Sequence, residues 1–135
     1  MGRKKEKYRD YFASSKSSDY FGTIFESMCK SGAYLSLSIG AKQFYTLCRV
    51  QARSSSGRAC LYAHGKEYDK QYDSERYFVF PAKHQEEYGI KRQNGNKYLK
   101  ELESAGFIEK VEQNNHIHKV NVYRFSDKWQ EKEKS

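Results

Sequence analysis

Apolar residues recur at spacings dominated by three and four between Ile39 and Ala52: Ile39, Ala41, Phe44, Tyr45, Leu47, Cys48 and Ala52. This spacing predicts an amphipathic helix. Ser38 stands where it can cap the helix, and Arg49 and Arg53 lie at the end where the helix dipole favours cations. Ahead of it, Phe21, Ile24, Phe25, Met28, Ala33, Tyr34 and Leu35 form an apolar set expected to dock on the core as a short strand or helical turn. Residues 54–76 read as a polar connection rich in Ser, Gly, Asp and Lys, with a short strand at Cys60 to Ala63. It is long for a structureless loop, so partial order or a role is expected. Tyr77-Phe78-Val79-Phe80 is a β-type run ending at Pro81. Ala82 to Tyr88 reads as a short helix, ended by a turn at Gly89.

A longer helix is predicted from about Lys91 to Ala105, with Tyr98, Leu99, Leu102 and Ala105 on its apolar face and a stop at Gly106. A strand from Phe107 to Glu112 follows, then a polar tip, Gln113-Asn114-Asn115-His116, and a partner strand from Ile117 to Phe125. In that last strand the apolar Val120, Val122 and Phe125 interleave with the polar Lys119, Asn121 and Arg124, and the period of two breaks at Tyr123. Asn114-Asn115 suits a hairpin tip.

The pattern bounds one domain at residues 19–126. Residues 1–18 are polar, basic and Ser-rich and read as a flexible basic arm. Residues 127–135 read as a charged tail with Trp129 as its one anchor. The chain of 135 residues carries a formal net charge of +8, a balance that favours a polyanionic partner. Its three cysteines form no CxxC pair, which fits a reducing cytoplasm better than a disulfide framework. No apolar run approaches the roughly 20 residues of a membrane span, and no apolar stretch follows the basic start as a secretory signal would require. The expected setting is cytoplasmic, with no membrane partner.

Charge is distributed most tellingly at the start of the longer helix. Lys91, Arg92, Lys97 and Lys100 stand in a ten-residue stretch without an acid. Cations near a helix N-terminus oppose the helix dipole at a cost of a few tenths of a kcal/mol each, so their placement there points to an external anion such as DNA phosphate. Arg92, Gln93, Asn94, Asn96 and Lys97 occupy the first two turns. Arg can bond guanine bidentately and Asn or Gln can bond adenine, so this set suits base reading as well as charge. Lys91 and Lys100 are candidate phosphate contacts, as are Lys83 and His84 on the preceding helix. Asn114, Asn115 and His116 at the hairpin tip, with Lys119 and Arg124, are candidates for backbone or minor-groove contact. Arg3, Lys4 and Lys5 would contact DNA if the arm does more than solubilise. The bland alternative for each is a solvated surface.

Enzymatic signatures are not evident. His116 and His118 share a strand face with no third ligand nearby, and Cys48, Cys60 and His64 do not match a zinc spacing. There is no Walker loop or nucleophile elbow. Neither a metal nor a cofactor is expected.

The segment Tyr88-Gly89-Ile90, then Leu99-Lys100-Glu101-Leu102-Glu103, then Gly106-Phe107-Ile108 resembles the recognition helix and first wing strand of bacterial winged helix-turn-helix proteins. Upstream, Tyr34-Leu35-Ser36-Leu37-Ser38, Ala41, Phe44, Tyr45 and Tyr77-Phe78-Val79-Phe80 resemble the N-terminal winged-helix domain of replication initiators from Gram-positive plasmids and phages. The resemblance covers roughly residues 20–126. It implies an α+β fold, a three-helix core with a β-hairpin wing, and sequence-specific binding of double-stranded DNA. Two departures qualify it. Gly95 stands where the family usually places a buried Val or Ile, and full initiators carry a further C-terminal domain. The second departure favours a stand-alone accessory factor of a plasmid or other mobile element, acting in replication initiation or in conjugative transfer as part of a relaxosome. Its partners would be DNA, replication or relaxase machinery, and a second copy of itself in a homodimer. The alternatives are a transcriptional regulator on promoter DNA and a winged-helix protein–protein interaction module that does not bind DNA.

Overall fold

The computed structural model describes residues 24–63, 76–112 and 121–134. Two helical turns, α1 (Glu26–Cys29) and α2 (Gly32–Leu35), precede the helices α3 (Ile39–Arg53) and α4 (Ser55–Tyr62). Strand β1 (Tyr77–Val79), helices α5 (Ala82–Glu87) and α6 (Arg92–Ala105), strands β2 (Ile108–Glu112) and β3 (Val122–Phe125), and helix α7 (Trp129–Lys134) follow. The strands form a three-stranded antiparallel sheet in the order β1-β3-β2. The class is α+β, and the order of elements is compatible with a winged helix.

Local chemistry sets the boundaries. Ser31, Ser38 and Ser54 each cap a helix with the side-chain oxygen; Ser38 Oγ accepts from Ala41 N at 3.2 Å and Ser54 Oγ from Gly57 N at 3.0 Å. Such caps supply partners for first-turn N–H groups that have none inside the helix. Helix α6 ends at Gly106, whose φ of 90° is left-handed. A side chain there would also collide with the backbone, because a Cβ would lie 2.7 Å from Trp129 N. Trp129 N donates to Gly106 O, and the Trp129 ring stacks on Phe107 at 5.9 Å.

The core lies between α3, α6 and one face of the sheet. Ala41, Phe44, Tyr45, Cys48 and Ala52 of α3 meet Leu99 and Leu102 of α6, with Phe78, Phe80, Phe107, Ile108, Tyr123 and Phe125. Phe44 stacks on Phe80 at 5.2 Å, and Phe78 on Phe125 at 4.7 Å. Ile39 does not join them and is 84% exposed. At 100° per residue it lies opposite Cys48 on the helix. Gln51 takes the corresponding buried place instead, at 1% exposure.

One expectation is corrected. The strand expected at Cys60 to Ala63 is absent, because helix α4 covers Ser55 to Tyr62. The physical reason is β1, which buries both faces: Phe78 points into the main core, while Tyr77 and Val79 join Val122 and Leu61 of α4 in a second cluster. An extended Cys60–Ala63 would leave that face uncovered. Residues 64–75, the rest of the polar connection, lie outside the described residues. The apolar set ahead of α3 does dock on the core as helical turns: Met28 is buried in it and Ala33 and Tyr34 pack against it, while Phe25 and Leu35 are exposed.

Strands β2 and β3 pair from Ile108↔Phe125 to Glu112↔Val122, with an irregularity between Lys110 and Glu112. Val111, which falls there, is partly exposed. Such a bulge bends the strand and raises its local twist. Residues 113–120 lie outside the described residues.

Candidate nucleic-acid interface

Helix α6 is fastened to the domain by one side. Gly95, Leu99 and Leu102 are buried, Tyr98 and Ala105 are half-buried, and α6 packs on α3, α5 and β2. The preceding helix is set by Pro81 at its N-cap, and Gln85 N donates to Pro81 O at 3.0 Å. Gln85 is the pivot of the α5–α6 corner. Its Nε2 donates to Phe80 O at 2.7 Å, and its backbone carbonyl accepts from Tyr88 N and Ile90 N, both at 3.0 Å. Its carboxamide then rests against Gly95, where a Cβ would lie 1.8 Å from Oε1. Only a glycine lets the two helices approach so closely without a shift.

The opposite side of α6 is open. Arg92, Gln93, Asn94, Asn96, Lys97 and Lys100 are all exposed, and Lys91 is exposed at the N-cap position. Gln93, Lys97 and Lys100, spaced four and three apart, share the outward face. None of the four cations between Lys91 and Lys100 has an ion pair with another described residue. The first turn of α6 contains no acid and receives no side-chain cap, in contrast to the serine caps of α3 and α4. Its N–H groups and cations therefore present positive potential at one end of the helix.

Two acids further along α6 make structural hydrogen bonds at the surface. Glu101 accepts from Ser38 N at 2.7 Å and Ser38 Oγ at 2.9 Å, reaching across to the start of α3. Glu103 Oε2 accepts from Lys110 N at 3.3 Å.

The other expected residues are dispersed. Lys83 is exposed on α5. His84, on the same helix, is half-buried, with Nδ1 2.7 Å from Gln51 Nε2. Arg124 on β3 is engaged inside the protein: its Nε donates to Glu109 Oε2 at 3.0 Å, and a second guanidinium nitrogen contacts the same oxygen. Lys128 pairs with the other carboxylate oxygen. Hydrogen bonds from Lys128 and Arg124 hold the Glu109 carboxyl below its ordinary range. Asn114, Asn115, His116, Lys119, Arg3, Lys4 and Lys5 lie outside the described residues.

Gln51, Gln85 and Glu101 were not singled out by sequence reasoning, although each organises this region. Gln51 carried a signal: it follows Phe44 and Cys48 by seven and three residues, on the buried stripe of α3. Among the described residues, no group of three or more His, Cys, Asp or Glu side chains could hold a metal. None of their helices is long and apolar enough to cross a membrane. Burial raises the hydroxyls of Tyr45, Tyr88 and Tyr123 and pushes the Cys48 thiol well up, the direction opposite to that of an activated nucleophile. No protein-family model matches the chain, and no curated protein or solved structure does either.

Proposed function

We propose that this is a winged-helix protein that binds double-stranded DNA sequence-specifically and serves a bacterial plasmid or other mobile element as an accessory factor in replication initiation or conjugative transfer. In this reading α3, α5 and α6 are the three-helix core, β2 and β3 form the wing, and α6 is the recognition helix. The observation that carries it is the exposed, acid-free start of α6. Arg92, Gln93, Asn94, Asn96 and Lys97 stand where base edges would be read, and Lys91 and Lys100 where phosphates would be held. The protein performs no reaction of its own. It marks a site in the cytoplasm and positions replication or relaxase machinery there.

A second reading, a protein–protein interaction module, is favoured by exposed Leu35 and Ile39, at 62% and 84% exposure. One experiment separates the two: fluorescence-anisotropy binding of the protein to tiled duplexes from its own genetic locus, with scrambled controls, across a salt series. Tight binding to one tile that persists at physiological salt supports site-specific recognition, and the tile's position distinguishes an origin or transfer region from a promoter. Weak binding to every tile that vanishes with salt reflects a basic surface alone and favours the protein partner.

A further inference from the structure

We infer that Gln51 is a positioning residue that fixes the tautomer of His84 and makes its Nε2–H a neutral phosphate donor beside the recognition helix. The inference rests on the DNA-binding reading above. Gln51 lies on α3 at 1% exposure, with Nε2 3.1 Å from Val79 O and 2.7 Å from His84 Nδ1. A backbone carbonyl can only accept, so the group facing Val79 is the NH2 of the carboxamide. Its second hydrogen is directed at His84, and Nδ1 must supply the lone pair. A neutral imidazole with a lone pair on Nδ1 carries its proton on Nε2.

The placement gives that proton a use. His84 is only half-buried, and its inner nitrogen is held by a buried side chain. Nε2 lies across the ring from that contact. His84 stands on α5, which packs directly against α6, and its neighbour Lys83 is exposed. Without Gln51 the ring could carry its proton on either nitrogen and could turn. With Gln51 one tautomer and one ring orientation are selected before DNA arrives, so less ordering is needed on binding.

A neutral donor has its own signature. Removing a lysine that neutralises a phosphate flattens the salt dependence of binding, because counterion release is lost. Removing a neutral N–H donor weakens binding equally at every salt concentration. The test has two parts, both run at one mildly alkaline pH. In the free protein, long-range 1H–15N NMR of the imidazole should report His84 as the Nε2–H tautomer, and Gln51→Met should convert it to a tautomer mixture in a protein whose backbone spectrum remains folded. In duplex titrations, His84→Ala should weaken binding by about three- to ten-fold with unchanged salt slope, and Gln51→Met should do so in part. The double variant should bind no more weakly than His84→Ala. A wild-type ring protonated on Nδ1 overturns the inference, as does His84→Ala with undiminished affinity for a duplex that the wild type binds. Absence of duplex binding by the wild type sinks the DNA reading as well, while the free-protein tautomer would still be measured independently.

Discussion

The carboxamide of Gln85 fills the space that a side chain at position 95 would need, with Oε1 1.8 Å from where a Cβ on Gly95 would stand. Gln85 cannot easily retreat. Its Nε2 is spent on Phe80 O, and its Oε1 is buried with no hydrogen-bond partner among the described residues. In an isolated helix Gly95→Ala would gain about 1 kcal/mol from propensity. Here it should instead destabilise the domain by about 1–3 kcal/mol through overpacking, as read by denaturant unfolding. Adding Gln85→Ala should make the Gly95→Ala substitution far less harmful, giving a coupling term in the double-mutant cycle. A stabilising Gly95→Ala in the wild-type background would refute this packing.

Glu101 serves as a long-range cap for α3. Glu101→Ala should cost about 1 kcal/mol, in the range of an N-cap loss, and Ser38→Ala should be strongly coupled to it in a double-mutant cycle. Additive effects from the two would show that their contact contributes nothing. DNA affinity should fall little in Glu101→Ala at temperatures where the fold is intact, since the carboxylate faces α3 and not the acid-free surface.

Acid should loosen the face shared by Glu109, Arg124 and Lys128. The folded-state value of Glu109 is depressed below its ordinary 4.5, first by the hydrogen bond from Lys128 and then by that from Arg124. A depressed carboxyl contributes stability that is present above its unfolded value and is lost as pH falls through the folded one. Unfolding measured from neutral pH down into the acid range should therefore show a decline below the ordinary carboxylate range that is smaller in Glu109→Gln. Equal slopes for both proteins would remove Glu109 from the account.

On DNA, Arg92→Ala should cost about 1–3 kcal/mol for the preferred duplex and relax the preference at one base position. Lys100→Ala should weaken every sequence alike and reduce the salt slope by about 0.9. Matched, negligible effects from both substitutions would dismiss α6 as the reading element.

Period and punctuation made much of this architecture legible. The 3–4 spacing marked α3 and α6, Ser38 and Gly106 marked their ends, and the run Tyr77 to Phe80 marked β1. What escaped was decided by distant partners. Helix α4 begins Ser-Ser-Gly, a loop-like composition, and is held by the Ser54 cap and by burial of Leu61 against Tyr77 and Val79. Ile39 matched the apolar alphabet but not the phase of the stripe. In the candidate site, charge and side-chain type picked out the exposed face of α6. Of the polar residues that hold that face in place, Gln51 is marked by its phase on the stripe of α3, but a buried Gln85 and a solvated one look the same in sequence. Arg124 looked free until Glu109 was set opposite it across the β2–β3 pair.

The sheet order also governs when the domain can become whole. Among the described residues, strand β1 pairs only with β3, the last of the three strands, and Gln51 on α3 donates to the carbonyl of Val79 in β1. On a ribosome, helix α3 emerges early, yet Tyr77 to Val79 meet their described partner strand only when Phe125 has been synthesised. The nascent chain must therefore carry an unpaired, strongly apolar strand while synthesis runs from Val79 to the end of β3. Closure awaits a contact distant along the chain, the kind that slows folding and prolongs exposure to aggregation.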